Sequence, residues 1–336
     1  MAGKSGRTIA HTQNKSLLKR LMCWESMLVI LFIVVNIYCS SLSSTYQINN
    51  VLREMPKYLT EVFLLLPMAY ILVMGDIDIS VGSIVCLSAT VACILGNKGL
   101  PFGLVLLVGL LTGALCGLIN GIIVTKFTEL PPMIVTLGTQ ILFRGIAEIA
   151  LGSGGSISLE HAEGFRMLAG RVGRIPYILF LVLILAVIYI IILSKTTFGR
   201  KLYAIGSNKL AAYYAGVKVQ KIRLIVFTLT GLMAGLSALF LTALQYGVNT
   251  TTASGFEMNA ISMAVFGGIS TAGGKGRLQG GVIAAFIIIS LRVGLGQINL
   301  NPQVILIILG ALLILAVMAP NIVEQFKLMK KRSSVK

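Results

Sequence analysis

The sequence predicts an all-α, polytopic integral membrane protein with about ten transmembrane helices. Three observations lead there. Of its 336 residues, 56% are hydrophobic and 12% charged, about half the charge of a soluble domain. Long apolar runs recur from about residue 24 to residue 318, each approaching or reaching the roughly 20 residues a helix needs to cross a bilayer. The runs are continuous rather than alternating, which argues against a transmembrane barrel and for helices, whose backbone groups are satisfied internally.

The first run, 24–43, follows a basic tail with Lys15, Lys19 and Arg20. It is long for a signal-peptide core and ends without an A-x-A-like site, so it reads as a retained helix. Further segments are expected at 58–74, 81–96, 101–124, 131–152, 175–194, 222–246, 258–271, 278–296 and 302–318. The third and eighth are short for a span, as in tilted, broken or partly inserted helices.

The net charge is +17, yet the basic residues sit between and beyond apolar runs. That is the positive-inside pattern, not a nucleic-acid face. Ten spans put both tails and the Lys/Arg-rich stretch 195–223 on one side, expected to be cytoplasmic. The plan is a basic cytoplasmic tail at 1–23, a transmembrane domain at 24–320 with a cytoplasmic segment at 195–221, and a second basic cytoplasmic tail at 321–336. The loop 153–174, with Arg166, Arg171 and Arg174, falls on the opposite side against the rule. Gly109 and Pro131 lie 22 apart, as do Gly280 and Pro302, at an offset of 171; a 5+5 inverted repeat is one account and coincidence the other. The five cysteines lie within apolar runs without a CxxC pair, which reads as small buried side chains rather than a metal site.

Polar residues that interrupt the apolar runs are the functional suspects. In "GDIDIS", Gly75–Ser80, Gly75 and Gly82 favour a helix break. There Asp78 or Ser80 caps the next helix, or Asp76 and Asp78 line a polar path. Arg144 and Glu148, four apart, are placed to pair on one helix face. Asn120 reads as interhelical glue, and Arg292 as a side chain snorkelling to the interface. "GGISTAGGKGRLQGG" fails the spacing of a phosphate loop and reads as a tight turn between membrane segments. In 194–224, Asn208 is a plausible N-cap and Gly216 a stop for a short helix, whose Ala211, Ala212 and Ala215 form a small-residue docking face.

Four stretches, in order, resemble the ribose-type permeases of ABC importers: "GDIDISVGS" (Gly75–Ser83), "LPPMIVTLGT" (Leu130–Thr139), "TTFGRKLYAIGSNKLAAYYAGV" (Thr196–Val217) and "SGFEMNAISMAVFGGISTAGGKG" (Ser254–Gly276). The resemblance covers about residues 60–320. Asp76 stands where that family usually has glycine, and Met263 and Phe266 where it has smaller residues. The resemblance implies a membrane-spanning permease that moves a sugar or sugar-like solute. It implies no cofactor on this chain, and ATP used by partner ATP-binding subunits. A second permease copy or homologue, an extracellular or periplasmic solute-binding protein and membrane lipid complete the expected partners, in a bacterial cytoplasmic membrane.

Gly199, Arg200, Gly206, Asn208, Ala211, Ala212 and Gly216 then fall in the coupling segment. The motif and candidate pathway positions are Asp76, Asp78, Ser80, Gly82, Asn120, Thr136, Gly138, Glu257, Gly267, Gly268, Gly273 and Gly274. The alternative is a stand-alone proton- or cation-coupled carrier using Asp76 and Asp78. No catalytic constellation argues for an enzyme.

Overall fold

A computed structural model describes residues 24–160 and 163–298, and beyond them residues 300, 301, 303–308, 310, 311 and 314. The two tails and eight residues of the expected segment 302–318, Pro302 of the proposed repeat among them, lie outside the described residues. The chain is mostly helical. In order, the main elements are α1 (Trp24–Leu42), α2 (Ile48–Glu54), α3 (Pro56–Val73), α4 (Val81–Asn97), α5 (Phe102–Lys126) and α6 (Pro132–Leu151). After β1 (Ser156–Ser158), α7 (Glu163–Leu168), β2 (Arg171–Val172) and β3 (Ile175–Pro176) come α8 (Tyr177–Lys195), α9 (Thr197–Ser207), α10 (Lys209–Tyr214) and α11 (Val219–Gln245). β4 (Gly247–Asn249), α12 (Phe256–Phe266) and α13 (Leu278–Gln297) follow.

Among the described residues, seven helices (α1, α3, α5, α6, α8, α11 and α13) are long and apolar enough to cross a membrane, and α4 and α12 are shorter apolar helices. These nine coincide with the first nine expected segments, and the two short ones are the two expected to be short. The segment expected at 258–271 overran. α12 stops at Phe266 because Gly267 and Gly268 follow it, Gly268 at φ +91°, a left-handed conformation that suits glycine.

The middle of the molecule is α3, where every residue from Leu59 to Met74 is buried. A helix apolar all round is one surrounded on all sides. Around it stand α11, α12, α8 and α13. The tightest seam joins α5 to α11. Gly109, Gly113, Gly117 and Gly121 recur every fourth residue along one face of α5 and meet Leu224, Gly231, Gly235 and Leu239 of α11. A Cβ on Gly113 would strike the Gly231 carbonyl, and one on Gly117 would strike the Phe227 carbonyl. The two backbones are therefore in direct contact, which is how membrane helices gain dispersion energy without a hydrophobic drive between them.

The connections sort to two ends. At the sheet end, β1 pairs antiparallel with β4, Ile157 opposite Val248, and Asn97 Nδ2 donates to the Ser158 carbonyl at 2.8 Å. The arginine-bearing loop 153–174 lies here: Arg174 Nη1 donates to Asn49 Oδ1 at 3.1 Å and Arg171 Nη2 to the Arg53 carbonyl at 3.4 Å. It thus lies at the N-terminal end of α8, and the Lys/Arg-rich segment follows the C-terminal end of that helix. At the other, basic end lie residues 74–80, α9, α10 and the glycine loop 267–277, with Arg277 and Glu25 paired at 3.2 Å.

Replacing Gly117 by leucine forces the α5–α11 backbones apart and should lower the thermal unfolding midpoint sharply or deplete the protein from membranes, since overpacking a fitted site costs about 1–3 kcal/mol or more. Gly103→Ala, where a Cβ meets no atom within 4 Å, should leave the midpoint unchanged.

Candidate functional site

The C-terminal end of α3 is where the sequence motifs meet. Gly75, at φ +81°, ends the helix, and residues 76–79 continue without helical bonds. Asp76 and Asp78 then take different roles. The Asp76 carboxylate is gripped bidentately by Arg223 of α11: Nε to Oδ2 at 2.7 Å and Nη2 to Oδ1 at 2.9 Å. Arg223 is 3% exposed and its Nη1 also reaches the Val124 carbonyl at 3.3 Å. One guanidinium thus ties the ends of α3, α5 and α11. A two-bond fork of this kind is both stronger and more directional than a point contact. Arg223 counts in the sequence as one more topogenic charge. Its signal was that it stands at the threshold of an apolar run, where a charge needs a partner.

Asp78 is fully buried. Its Oδ1 accepts from the Ser80 backbone N at 2.9 Å and from Ser80 Oγ at 2.7 Å. Ser80 is the N-cap of α4 but its own side chain caps nothing. Asp78 therefore closes a turn around Ser80 rather than bonding deeper into the helix as an N-cap does. Asn120 of α5 donates to Ser80 Oγ at 2.7 Å, and Thr136 Oγ1 of α6 accepts from the Ile79 backbone N at 3.2 Å. Glu257, in the first turn of α12, fills the notch left by Gly82, where a Cβ would collide with Glu257 Oε2 and come within 2.6 Å of the Ala253 carbonyl. The chain thus gathers Asp78, Ser80, Gly82, Asn120, Thr136 and Glu257 from four helices into one polar cluster. Asp78 Oδ2, Asn120 Oδ1 and Glu257 Oε2 have no hydrogen-bond partner among the described residues. The cluster therefore offers acceptors for donors. Gly138 does not join it; a Cβ there meets nothing within 4 Å, on the exposed face of α6.

The glycine loop is docked rather than free. Gly274 N donates to the Val73 carbonyl at 2.9 Å, and Tyr203 Oη of α9 donates to the Gly276 carbonyl at 2.7 Å. Gly206 of α9 lies so close that a Cβ would strike the Val73 carbonyl, and Gly273 would come within 2.9 Å of Gly75 Cα. α9, the end of α3 and the loop are one interlocked unit. Gly267 and Gly280 meet in the same way between α12 and α13, and Gly268 takes Trp24 of α1 against it.

Gly199 makes the tight turn from α8, with no room for a Cβ against the Leu193 carbonyl, and Arg200 beside it is exposed. Thr196 caps α9 by accepting from Gly199 N at 3.3 Å. Asn208 caps α10 by accepting from Ala211 N at 2.9 Å, and Gly216 at φ +81° stops it. The expected alanine face is split: Ala212 is buried, whereas Ala211 and Ala215 are exposed beside Leu210, Tyr213 and Tyr214. Burial and the neighbouring Arg223 hold the Lys209 ammonium below the usual lysine range, with Asp76 opposing.

Two expectations are corrected. Arg144 does not pair with Glu148; its Nη1 donates to the Thr250 and Thr252 carbonyls at 3.1 and 2.8 Å, because the chain between β4 and α12 brings unsatisfied backbone oxygens within its reach. Arg292 does not snorkel. It is buried against Glu61 of α3, Nη1 to Oε1 at 2.8 Å, because α13 packs against the centre of the molecule rather than at its rim.

Residues 57–317 match the family described as "Branched-chain amino acid transport system / permease component". The chain is 32% identical to the ribose import permease protein of Bacillus subtilis (strain 168), over 87% of this chain and 89% of that protein. It is 33% identical to the D-allose transport system permease protein of Escherichia coli (strain K12), over 88% and 91%. It is 31% identical to an autoinducer 2 import system permease protein of the same strain, over 89% and 92%. No solved structure matches.

Asp76→Asn leaves Arg223 buried without its countercharge and should destabilise the protein by about 3–5 kcal/mol, seen as a large fall in thermal midpoint in detergent. Asp76→Asn combined with Arg223→Met should recover part of that loss. An unchanged midpoint in the single variant would mean the pair is not formed.

Proposed function

The chain belongs to the branched-chain amino acid transport system permease family, and on that premise we propose that it is the membrane-spanning subunit of an ABC importer carrying a sugar or sugar-like solute inward. ATP is hydrolysed by a partner subunit, and this chain makes no ATPase site of its own. The names of the ribose, D-allose and autoinducer 2 relatives support a small hydroxylated solute. The partners are two ATP-binding subunits on the basic, cytoplasmic end, a second permease copy or homologue, and a solute-binding protein at the sheet end, in the bacterial cytoplasmic membrane.

One observation carries the mechanism. α9 is locked to the Val73 carbonyl and the glycine loop, and Asp76 and Asp78 follow within five residues of Val73. α10 presents Leu210, Ala211, Tyr213, Tyr214 and Ala215 outward, an apolar surface at the basic end suited to an ATP-binding subunit. When the ATPase pair closes, the α9–α10 unit moves, and its interlock carries the motion to residues 74–80 and the Asp78 cluster. The unpartnered acceptors there suit a solute rich in hydroxyl donors. Nucleotide drives this only by binding the two arrangements unequally.

A stand-alone carrier using Asp76 and Asp78 is disfavoured because Asp76 is already held by Arg223, and a committed carboxylate makes a poor ion carrier.

Tyr214→Asp and Ala215→Glu, at exposed positions, should leave insertion and thermal midpoint intact while lowering ATP-dependent uptake about tenfold or more, the effect of a disrupted interface anchor. Ala212→Glu, at a buried position, should instead reduce the amount of folded protein. Wild-type uptake by the first two variants would remove α10 from the coupling surface.

A further inference from the structure

At the sheet end, away from the coupling surface and on the start of α12 beside Glu257 of the Asp78 cluster, a cleft of about 820 Å³ opens between the start of α3, the start of α12 and the end of α13. That volume lies within the range of small-molecule sites, which combine apolar walls with a few convergent polar groups. Phe256 and Leu300 supply apolar wall, and Tyr58, Glu61, Asn259 and Arg292 supply the polar part.

The polar part is preorganised. Glu61 and Arg292 are 5% and 9% exposed at their side chains, and both carboxylate oxygens take hydrogen from the same guanidinium nitrogen, Nη1, at 2.8 and 3.1 Å. The other edge of Arg292, Nε and Nη2, is not used on Glu61. The guanidinium carbon sits 5.4 Å from the centroid of the Tyr58 ring, which fixes the plane of the group and presents an aromatic surface beside it. Glu61 and Arg292 cancel in charge, so the cleft carries no surplus cation to select a phosphate or a lipid headgroup. It holds hydrogen-bond donors and acceptors side by side with an aromatic ring. A neutral, polyhydroxylated molecule matches that combination, its hydroxyls both donating and accepting while its C–H face lies on the ring.

We propose that this cleft is an entry subsite that takes a neutral polyhydroxylated solute at the sheet end before it reaches the Asp78 cluster. The proposal rests on the importer reading above. Arg292→Ala would strand Glu61 and threaten the fold, so the test uses Tyr58→Leu and Asn259→Ala, which leave both charges in place. The assembled importer, with its ATP-binding subunits and binding protein, is reconstituted in liposomes, and uptake of radiolabelled D-ribose and D-allose is measured over a range of concentrations. Each variant should raise the KM of the transported sugar about tenfold with its thermal midpoint at the wild-type value. If wild-type liposomes take up neither sugar, the sugar-importer reading fails and takes the subsite with it. If the wild type transports and both variants keep its KM, the subsite alone is overturned.

Discussion

The structure depends on one buried junction, the Asp76–Arg223 pair and the glycine contacts packed beside it. A carboxylate and a guanidinium removed from water repay their desolvation only with close geometry and further hydrogen bonds. Here the geometry is a two-bond fork, and the guanidinium's remaining nitrogen is spent on the Val124 carbonyl. Next to it, Gly206, Gly273 and Gly274 bring α9 and the glycine loop onto the backbone of Val73 and Gly75. Side chains of any size at these glycines would hold the elements apart. The junction fixes where α3 stops, and so where residues 76–80 turn inward to the Asp78 cluster.

Two kinds of contact hold the molecule, and they differ in what they permit. Along α5 and α11 the glycine seam is long and backbone-to-backbone, and it has no polar element that another arrangement could reuse. At the basic end the contacts are few, short and polar, formed between loop, helix end and helix start. These contacts, with the close glycine approaches among them, bind α9, the glycine loop and the end of α3 into one unit. The seam runs along α5 and α11 as far as Gly121 and Leu224, beside Val124 and Arg223, so the two kinds of contact adjoin at the basic end.

Much of the fold was legible because it follows from local composition. Nine apolar runs mark nine helices, Asn208 marks a cap through its own side chain, and Gly75 and the glycines of 267–277 mark backbone that helix cannot continue. Asp78, Ser80 and Asn120 could be picked out as polar interruptions, and Thr136 and Glu257 only from the stretches that resemble the permease family, although their convergence could not. What stayed hidden were partners distant in sequence. Arg223 meets Asp76 across 147 positions, and Arg292 meets Glu61 across 231. Which charge meets which is decided by the packing order of the helices, not by any local pattern. A usable signal was present nonetheless: each of these charges is isolated at or within an apolar run, and such charges are paired at membrane depth. The Arg144–Glu148 spacing misled for the same reason, since helical proximity competes with nearby backbone carbonyls that only the tertiary fold supplies.

The central claim is that α9 and the glycine loop travel as one body when the transporter changes state. Paired spin labels at Lys201→Cys and Thr271→Cys, both exposed positions on that unit, measure it in a background lacking the native cysteines, against a second pair joining Lys201→Cys to Met167→Cys at the sheet end. Double electron–electron resonance on the reconstituted importer should give the same Lys201–Thr271 distance with and without ATP, while the Lys201–Met167 distance shifts. A nucleotide-dependent change between Lys201 and Thr271 would show that the junction comes apart, and the account would be wrong.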